Sequence, residues 1–483
     1  MSAPDRPNIL WICTDQQRFD TAGCYGNAFV HTPNIDRLAR DGLRFAHAFC
    51  QSPVCTPSRA SFLTGRYPRT TRCRANGQGI PAGETLVTRV LHDAGYTCGL
   101  AGKLHLAPCH PRVTPGAERR IDDGYDIFHW SHHPEGDWPV NAYHHWLREK
   151  GVTFKTTPFG DSSQVRTGMP AEQHQTTWCA QMAINFVEAH AVRDKPWLFS
   201  VNIFDPHHAF DPPAEYLRRY LERLDAIPPP VYRPGELADK PLYQQIDHAG
   251  AYANKTLHPF IGMTDREHRL VTAAYWAMVD LIDAQVGRML EALERTGQVE
   301  NTLVLFMSDH GEMLGDHGLY LKGPYFYEPL VRVPLILRWP RRIAPGRTSR
   351  ALVELMDIAP TLLDAAGLDH APGMQGRSLW PLLTDAAAPD RHHDDVYCEY
   401  YDAMPWHRDP AAHATMLRTA SHKLVVVHSL GTGELYDLGA DPGETRNLWH
   451  EPAGQALKGE LLLRLCNRMA DTVDPLPKRV SDW

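Results

Sequence analysis

Short apolar runs alternate with amphipathic helical patterns along most of the chain, and this alternation most narrows the possible folds. The runs have the length and β-branched content of buried strands, and the patterns between them repeat every three to four residues. The runs span residues 7–13, 43–50, 96–100, 197–204, 302–307 and 333–338, and the helical patterns include 86–94, 171–191, 265–297 and 357–366. Strands that alternate with helices form a parallel-type sheet with helices on its faces. We therefore predict an α/β fold built on a large mixed, mostly parallel sheet flanked by helices.

Polar side chains follow four of the predicted strands at the point where each strand ends. In chain order they are Asp15 and Gln16, Lys103 and His105, His207, and Asp309 and His310. The carboxyl ends of parallel strands lie at one edge of a sheet, which is where open α/β sheets place their ligand sites. We therefore expect these side chains to meet in one site.

The stretch of residues 52–67, S-P-V-C-T-P-S-R-A-S-F-L-T-G-R-Y, predicts the entrance to a helix. Pro57 suits the first helical position, Thr56 can cap the helix from just before it, and Gly65 can end it. Cys55 would then lie at an open helix N-terminus, where unpaired N–H groups and the helix dipole attract an anion.

Two irregular segments and a change of texture divide the chain. Residues 107–170 and 212–263 are rich in proline and have weak periodicity, so we interpret them as insertions, the first as a lid or pocket wall. After residue 385, short strand patterns follow one another without helices until a last helical pattern. The sequence thus predicts a catalytic domain over 1–385 and a smaller α+β subdomain over 386–483, with an antiparallel sheet and a final helix.

Composition excludes several classes of function. The 483 residues carry a formal net charge of −8, so no overall basic field favours nucleic acid. No apolar run is long enough to span a bilayer, and the N-terminus lacks the pattern of a secretion signal. The ten cysteines have no framework spacing. We expect a soluble, cytoplasmic protein with reduced cysteines and neither a nucleic-acid nor a membrane partner.

Four stretches resemble the sulfatase family of the alkaline-phosphatase superfamily. They are C-T-P-S-R with the following A-S-F-L-T-G-R, T-P-N-I-D-R-L-A at 32–39, G-K-L-H at 102–105, and E-L-Y-D-L-x-x-D-P-x-E-x-x-N-L at 434–448. The chain is similar to arylsulfatases, choline sulfatases and phosphonate monoester hydrolases of that superfamily. The resemblance implies an alkaline-phosphatase-like fold and the hydrolysis of a small-molecule sulfate ester.

The resemblance also implies roles for the matching residues. A maturation enzyme would oxidise Cys55 to formylglycine, whose hydrate attacks sulfur and forms a covalent sulfo-enzyme intermediate. His207 would protonate the leaving alcohol, and His105 would deprotonate the second hydroxyl so that sulfate leaves. Lys103 and Lys322 would neutralise the sulfuryl oxygens. Arg59 is the remaining catalytic candidate and could hydrogen-bond to the hydrate. The substrate-binding candidates are Lys103, His207, Lys322 and, as a weaker contact to a substrate oxygen, Asn76.

The residue types predict a divalent cation. Asp15, Gln16 and Asp309 offer oxygen ligands and His310 offers one nitrogen, a set that suits Ca²⁺, Mg²⁺ or Mn²⁺. The modified Cys55 would add another oxygen, by the same resemblance. Ca²⁺ is the predicted ion, with Mn²⁺ and Mg²⁺ as alternatives. Many sulfatases carry more carboxylates here, whereas the D-Q and D-H pairs also resemble choline sulfatases and phosphonate monoester hydrolases.

Two alternatives remain at this point. The first keeps the nucleophile but hydrolyses phosphonate monoesters or phosphodiesters; by resemblance, that group carries Tyr and Thr where this chain has Lys103 and His105. The second is a binding protein without catalysis, which predicts a broken metal or nucleophile set, whereas every position is filled here. The alcohol part of the ester is open, and so is a homo-oligomeric state.

Overall fold

The computed structural model describes residues 6–110, 112–114, 116–135, 138–409, 411–428 and 430–483. The strands are β1 (Asn8–Thr14), β2 (Leu43–Phe49), β3 (Thr97–Gly102), β4 (Ile127–Trp130), β5 (Thr157–Pro158), β6 (Arg166–Thr167), β7 (Trp197–Asn202), β8 (Thr302–Ser308), β9 (Arg332–Val333), β10 (Leu335–Arg338), β11 (Arg347–Glu354), β12 (Asp395–Tyr401), β13 (His413–Thr419), β14 (His422–Val427) and β15 (Thr432–Asp437). The α-helices are α1 (Pro33–Arg40), α2 (Cys55–Thr64), α3 (Pro68–Thr71), α4 (Val87–Asp93), α5 (Ala142–Glu149), α6 (Gln175–His190), α7 (Ala214–Leu221), α8 (Leu242–His248), α9 (Asp265–Arg295), α10 (Glu328–Val331), α11 (Ile358–Ala366), α12 (Trp380–Thr384) and α13 (Gln455–Asp471).

A large sheet forms the centre of the molecule. Its strand order is β11-β2-β10-β8-β1-β7-β3-β4, with the short β9 paired to β2. β1 runs parallel to β7 and β8, and β3 runs parallel to β4 and β7, whereas β10 is antiparallel to both its neighbours. The predicted mixed, mostly parallel sheet is therefore confirmed, and β1, β3, β7 and β8 all end at the same edge.

Alternate residues of β1 enter two different cores, which is why its apolar run is continuous. Leu10 and Ile12 pack in the core that contains Ile282 of α9. Ile9 and Trp11 belong to the core on the other face, where the Trp11 ring lies 5.6 Å from the ring of Phe62 on α2. Helices thus cover both faces of the sheet, and its central strands are removed from water.

The longest helix, α9, confirms the strongest helical pattern in the sequence. The residues that step by three or four are all 0–1% exposed: Val271, Tyr275, Met278, Ile282, Val286, Met289 and Leu293. The Thr264 hydroxyl accepts a hydrogen bond from the Glu267 N–H at 3.2 Å and caps the helix. The helix ends two residues earlier than predicted, and Gly297, at a φ of 70°, turns the chain towards β8.

The structure departs from the sequence prediction at both ends of the sheet. Residues 107–170 were expected to be irregular, but they contain β4, which extends the sheet beside β3, and α5. β11, at the opposite edge, was not predicted. β4 has only four residues, which are too few to show a strand period. β11 was missed because it begins with the polar residues R-T-S-R, as edge strands often do.

The last part of the chain forms the predicted antiparallel sheet, in the order β12-β13-β14-β15. Helix α13 packs on it through Leu461 and Leu465, which lie in one core with Leu417, Leu424 and Leu435. The division of the chain near residue 385 remains a prediction. None of the helices among the described residues has the length and apolar character to cross a membrane.

Candidate active site

The ends of β1 and β8 bring two carboxylates together. Cys13 and Thr14 of β1 lie opposite Met307 and Ser308 of β8, so the residues that follow are also neighbours. The Asp309 N–H donates to the Thr14 carbonyl at 3.2 Å, and the Asp15 N–H donates to the Asp205 carbonyl at 3.2 Å. Asp15 and Asp309 are both fully buried. The expectation that the strand ends meet at one edge is confirmed.

Cys55 is the first residue of α2, two residues earlier than the sequence suggested. The helix is preceded by Val54, and neither Thr56 nor Pro57 holds the position predicted for it. The side-chain carbonyl of Asn76 takes the capping role, accepting a hydrogen bond from the Thr56 N–H at 3.0 Å. The prediction that Thr56 caps the helix was wrong, because the helix begins before it.

The Cys55 thiol lies at the centre of the strand-end residues. Its Sγ is 3.2 Å from His310 Nε2, 3.2 Å from Lys322 Nζ and 3.6 Å from Asp15 Oδ1. Burial and Asp15 raise the pKa of this thiol, but Lys103, Lys322 and His310 outweigh them, so the pKa is lowered. The position therefore favours an anion.

Arg59, one helical turn after Cys55, joins three strands. Its Nε donates to Asp309 Oδ2 at 2.9 Å, and its Nη2 donates to Asp15 Oδ2 at 3.2 Å. Its Nη1 donates to the Lys103 carbonyl at 2.7 Å. Arg59 thus orients the two carboxylates, and its predicted hydrogen bond to the modified residue 55 stays a prediction.

Two lysines lie close to the Cys55 thiol. Lys322 Nζ donates to Gln16 Oε1 at 2.7 Å and lies 3.0 Å from His207 Nε2, and Lys103 Nζ donates to Asp15. Burial raises the pKa of the Asp15 carboxyl, but Lys103 and Arg59 outweigh it and hold that pKa far below its usual range. The carboxyl is therefore ionised. Two buried ammonium groups beside one cysteine form a site for a negatively charged group.

The two predicted acid–base histidines are neutral in this environment. Burial and Lys322 hold the pKa of His207 far below its usual range, and burial and Lys103 do the same for His105. His207 Nδ1 lies 2.6 Å from the His208 carbonyl, so Nδ1 carries the proton and Nε2 accepts from Lys322. A neutral His105 can accept a proton, as the predicted base must.

Two buried glutamates support the site and were not identified from the sequence. Glu118 accepts hydrogen bonds from the N–H groups of His105 at 2.7 Å and Leu106 at 2.7 Å, and from Trp130 Nε1 at 2.9 Å. It thereby fixes His105, which has a φ of 58°. Glu118 lies in a segment without periodicity, so no sequence signal marked it.

Glu312 holds the chain after β8. It accepts from the Leu314 N–H at 3.0 Å, from the Leu321 N–H, and from Gln16 Nε2. Gln16 itself has a φ of 67°, and its Oε1 faces Lys322. The position of Glu312 three residues after Asp309, in D-H-G-E, is a signal that the sequence analysis could have used.

A cleft of about 540 Å³ opens above Cys55. Its floor contains Cys55, Lys103, His207 and Lys322, and Asn76 lies on one side. The outer wall is mostly aromatic or apolar and includes Val113, Trp138, Tyr252, Met404 and Trp406. The Tyr252 and Trp406 rings stack at 4.4 Å and 10°. The cleft is large enough for the alcohol part of a small ester.

Comparison with known families decides the identity of this arrangement. The sequence model described as sulfatase matches residues 7–368. The chain belongs to the sulfatase family. A second model, described as the C-terminal part of N-sulphoglucosamine sulphohydrolase, matches residues 315–471, which include the antiparallel sheet and α13.

Individual relatives of this sulfatase-family chain have different activities. An arylsulfatase from Clostridium perfringens is 30% identical over 461 residues, which cover 92% of this chain and 90% of the relative. A choline-sulfatase from Rhizobium meliloti is 29% identical over 456 residues, covering 93% and 83%. The structure of the phosphonate monoester hydrolase SpPMH from Silicibacter pomeroyi matches with a TM-score of 0.83 and 25% identity, covering 99% of this chain and 98% of that one.

The buried donor set fits the divalent metal that sulfatases carry. Ligand atoms of Asp15, Cys55, Asp309 and His310 all lie within 4.8 Å of one another. His310 Nδ1 lies 2.8 Å from the Gly311 carbonyl, so Nε2 faces the cluster and would lose its proton when a metal binds. Although burial lowers the pKa of His310, Asp309 and Cys55 raise it to about 9. A carboxylate-rich set with one imidazole suits a hard cation.

Proposed function

We propose that this protein hydrolyses sulfate esters of small alcohols, using residue 55 as the nucleophile after its conversion to formylglycine. The observation that carries the proposal is the position of Cys55, within 3.6 Å of Asp15, His310 and Lys322 at the start of a buried helix. A nucleophile between a cation-binding cluster and a lysine is suited to attack a transferable anionic group.

The divalent cation, for which we propose Ca²⁺, would be held by Asp15, Gln16, Asp309, His310 and residue 55. When bound, it supplies positive charge that polarises the sulfuryl oxygens and favours ionisation of a nearby hydroxyl. Gln16 Oε1 already accepts from Lys322, and its second lone pair remains for a metal.

The leaving alcohol needs a proton, and the Lys322–His207 pair is placed to deliver it. Lys322 Nζ lies 3.0 Å from His207 Nε2, so the ammonium can pass a proton to Nε2, which then gives it to the leaving oxygen while Nδ1 stays bonded to the His208 carbonyl. The negative charge of a bound ester would favour the protonated imidazole. Lys103, paired to Asp15, provides the second positive charge towards the sulfuryl group.

His105 is proposed as the base that acts on the formylglycine hydrate. The Glu118 carboxylate fixes its backbone, and its low pKa keeps it unprotonated and ready to accept a proton. Asn76 caps α2 and also lines the cleft, so a contact from it to a substrate oxygen stays part of this proposal.

A phosphonate monoester hydrolase is the second candidate. It is favoured by the TM-score of 0.83 to SpPMH over 99% of this chain. We place sulfate ester hydrolysis first because Lys103 and His105 line the cleft at the two positions where, by resemblance, phosphonate monoester hydrolases carry Tyr and Thr.

The deciding experiment compares kcat/KM for an aryl sulfate with kcat/KM for an aryl phosphonate monoester. The protein should first be shown by mass spectrometry to carry the aldehyde at residue 55. A ratio well above one supports the sulfatase, and a ratio well below one replaces it by the phosphonate monoester hydrolase.

The nucleophile is tested by Cys55→Ala. We expect kcat to fall on the order of 10³-fold or more on both esters, because the covalent route is lost. Cys73→Ala is the matched control, since Cys73 is equally buried but is not among the residues that line the cleft. Full activity of Cys55→Ala, or only the thiol at residue 55 in active protein, contradicts the formylglycine proposal.

The remaining assignments are proposals of the same kind. The ten cysteines, all within the described residues, are free, which suits a reducing, cytoplasmic compartment. Cys55 requires a formylglycine-generating maturation enzyme as a transient partner. A homo-oligomeric state is open to measurement by light scattering.

A further inference from the structure

A second group of metal-ligating side chains lies at the mouth of the cleft. One ligand atom from each of His105, Cys109 and His132 lies within 4.8 Å of the others. This set differs in chemistry from the carboxylate cluster below it, because it offers two imidazoles and one thiol. Such a set is typical of Zn²⁺ and similar transition metals and is unsuited to Ca²⁺.

The histidines of this group lack the hydrogen bonds that buried polar groups normally make. His132 is only 4% exposed, yet neither of its ring nitrogens has a hydrogen-bond partner among the described residues. Nδ1 of the buried His105 is also without a partner in that part of the chain. The two rings meet edge to face with their centroids 4.4 Å apart. Because nearly all buried polar atoms are paired, these unpaired atoms point to a ligand.

We propose that His105, Cys109 and His132 bind a Zn²⁺-type ion, and that this ion reversibly inhibits hydrolysis. Three protein ligands leave one coordination position for water or an anion. Ligand atoms of a tetrahedral zinc site are roughly 3.5 Å apart, so small side-chain rotations would close the group from its present spacing. Inhibition follows because the ion occupies the imidazole that is proposed as the catalytic base.

The binding step is an exchange of one proton for one metal ion. The Cys109 thiol loses its proton to solvent as sulfur bonds to the metal, and each imidazole donates a lone pair. Burial raises the pKa of this thiol to about 12, so a bound metal is needed to ionise it near neutral pH. The ion comes from solution, and no oxidation or reduction is involved.

Metal binding is tested without catalysis by titrating Co²⁺ into Cys55→Ala protein with Ca²⁺ in excess. Cys55→Ala removes the thiol of the carboxylate cluster, so a sulfur-to-cobalt charge-transfer band would have to come from another cysteine. We expect one equivalent of Co²⁺ to produce this band, and Cys109→Ser to abolish it. Cys466→Ser, which changes an exposed cysteine, should leave the band unchanged. Absence of the band, or its survival in Cys109→Ser, overturns the site.

Inhibition rests on the proposed function and is measured separately, on whichever of the two esters the intact enzyme turns over. We expect Zn²⁺ to inhibit the wild-type enzyme. His132→Gln should need at least about tenfold more Zn²⁺ for the same fractional loss of its own zinc-free rate, because even changes outside a metal's direct ligands have effects of this size. Equal inhibition of both proteins overturns the regulatory role. Failure to hydrolyse sulfate esters would refute the proposed function without affecting the cobalt band.

Discussion

Arg59 is the residue on which the geometry of the carboxylate cluster depends. It donates to Asp309 at 2.9 Å and to Asp15 at 3.2 Å, while its own burial leaves it 1% exposed. Asp15 Oδ1 is not bonded to the guanidinium and faces the cluster, whereas Asp309 Oδ1 accepts hydrogen bonds from the N–H groups of Gln16 at 3.0 Å and His310 at 2.9 Å. Substitutions can therefore distinguish the residues that bind the metal from neighbouring residues that do not.

Asp309→Asn should reduce bound metal more than His207→Ala does. The first change removes a charged ligand from the cluster, whereas His207 contacts Lys322 and the His208 carbonyl. The measurement is the metal content of each protein after dialysis against limiting Ca²⁺. Equal metal content in the two variants would contradict the ligand assignment.

Glu118→Gln should lower kcat/KM and stability together. An amide has one acceptor oxygen, so it cannot replace both carboxylate oxygens, which accept from His105, Leu106, Ala107 and Trp130. Leaving buried N–H groups unpaired costs about 1–3 kcal/mol each. Urea unfolding and ester hydrolysis measure the two effects. The exposed Glu149→Gln is the control, and a wild-type kcat/KM in Glu118→Gln would refute the positioning role.

Helix α10 connects the main sheet to the antiparallel sheet through a buried charge network. Glu328 lies 3.1 Å from Lys423 of β14 and 3.3 Å from Arg418 of β13, and Lys423 lies 2.6 Å from Glu444. Burial raises the pKa of Glu328, but Lys423, Arg418 and Arg332 outweigh it and hold the pKa far below its usual range. The ionised Glu328 carboxylate thus connects α10 to both β13 and β14.

Glu328→Gln should destabilise the protein by about 3 kcal/mol at pH 7, because it removes the carboxylate that Arg418 and Arg332 pair with, while Lys423 keeps Glu444. A carboxyl with a lowered pKa in the folded state stabilises the protein above its unfolded pKa of about 4.3, and this contribution is lost as the pH falls towards the folded value. Thermal melts should therefore show that the Tm difference between Glu328→Gln and wild type becomes smaller below about pH 4. The control Glu460→Gln, at an exposed position of α13, should have the Tm of wild type. A Tm difference for Glu328→Gln that does not change with pH would refute the mechanism.

At the scale of the whole molecule, metal binding should stabilise the fold. The cluster joins the first residue of α2 to residues that follow β1 and β8. Unfolding separates these segments, so the ion binds the native state only. Ca²⁺ at 100 times its Kd adds about 2.7 kcal/mol to the free energy of unfolding. Differential scanning calorimetry should show that EDTA lowers the Tm of wild type, with little effect on Asp309→Asn. No shift in wild type would count against the metal.

The sequence predicted those parts of the molecule whose pattern is long or local. Buried strands such as 302–307 are continuous apolar runs, the 31-residue α9 has a clear helical period, and Asp309 and His310 come just after such a run. Glu118 and His132 flank β4 in a segment without hydrophobic periodicity. They reach the site because β4 pairs with β3 at the edge of the sheet, which the sequence did not predict. The helix start was misplaced because the residue that caps α2, Asn76, lies about 20 residues away.

The cleft has two parts with separate origins in the chain. Its floor comes from the strand ends of the main sheet, whereas Met404, Pro405 and Trp406 reach its rim from the loop after β12. Changes at the rim leave the nucleophile and its cations in place, so selection can alter which alcohol is accepted while the chemistry is inherited intact. Recombination that replaces only the loop after β12 would then alter this part of the rim and leave the floor of the cleft as it is.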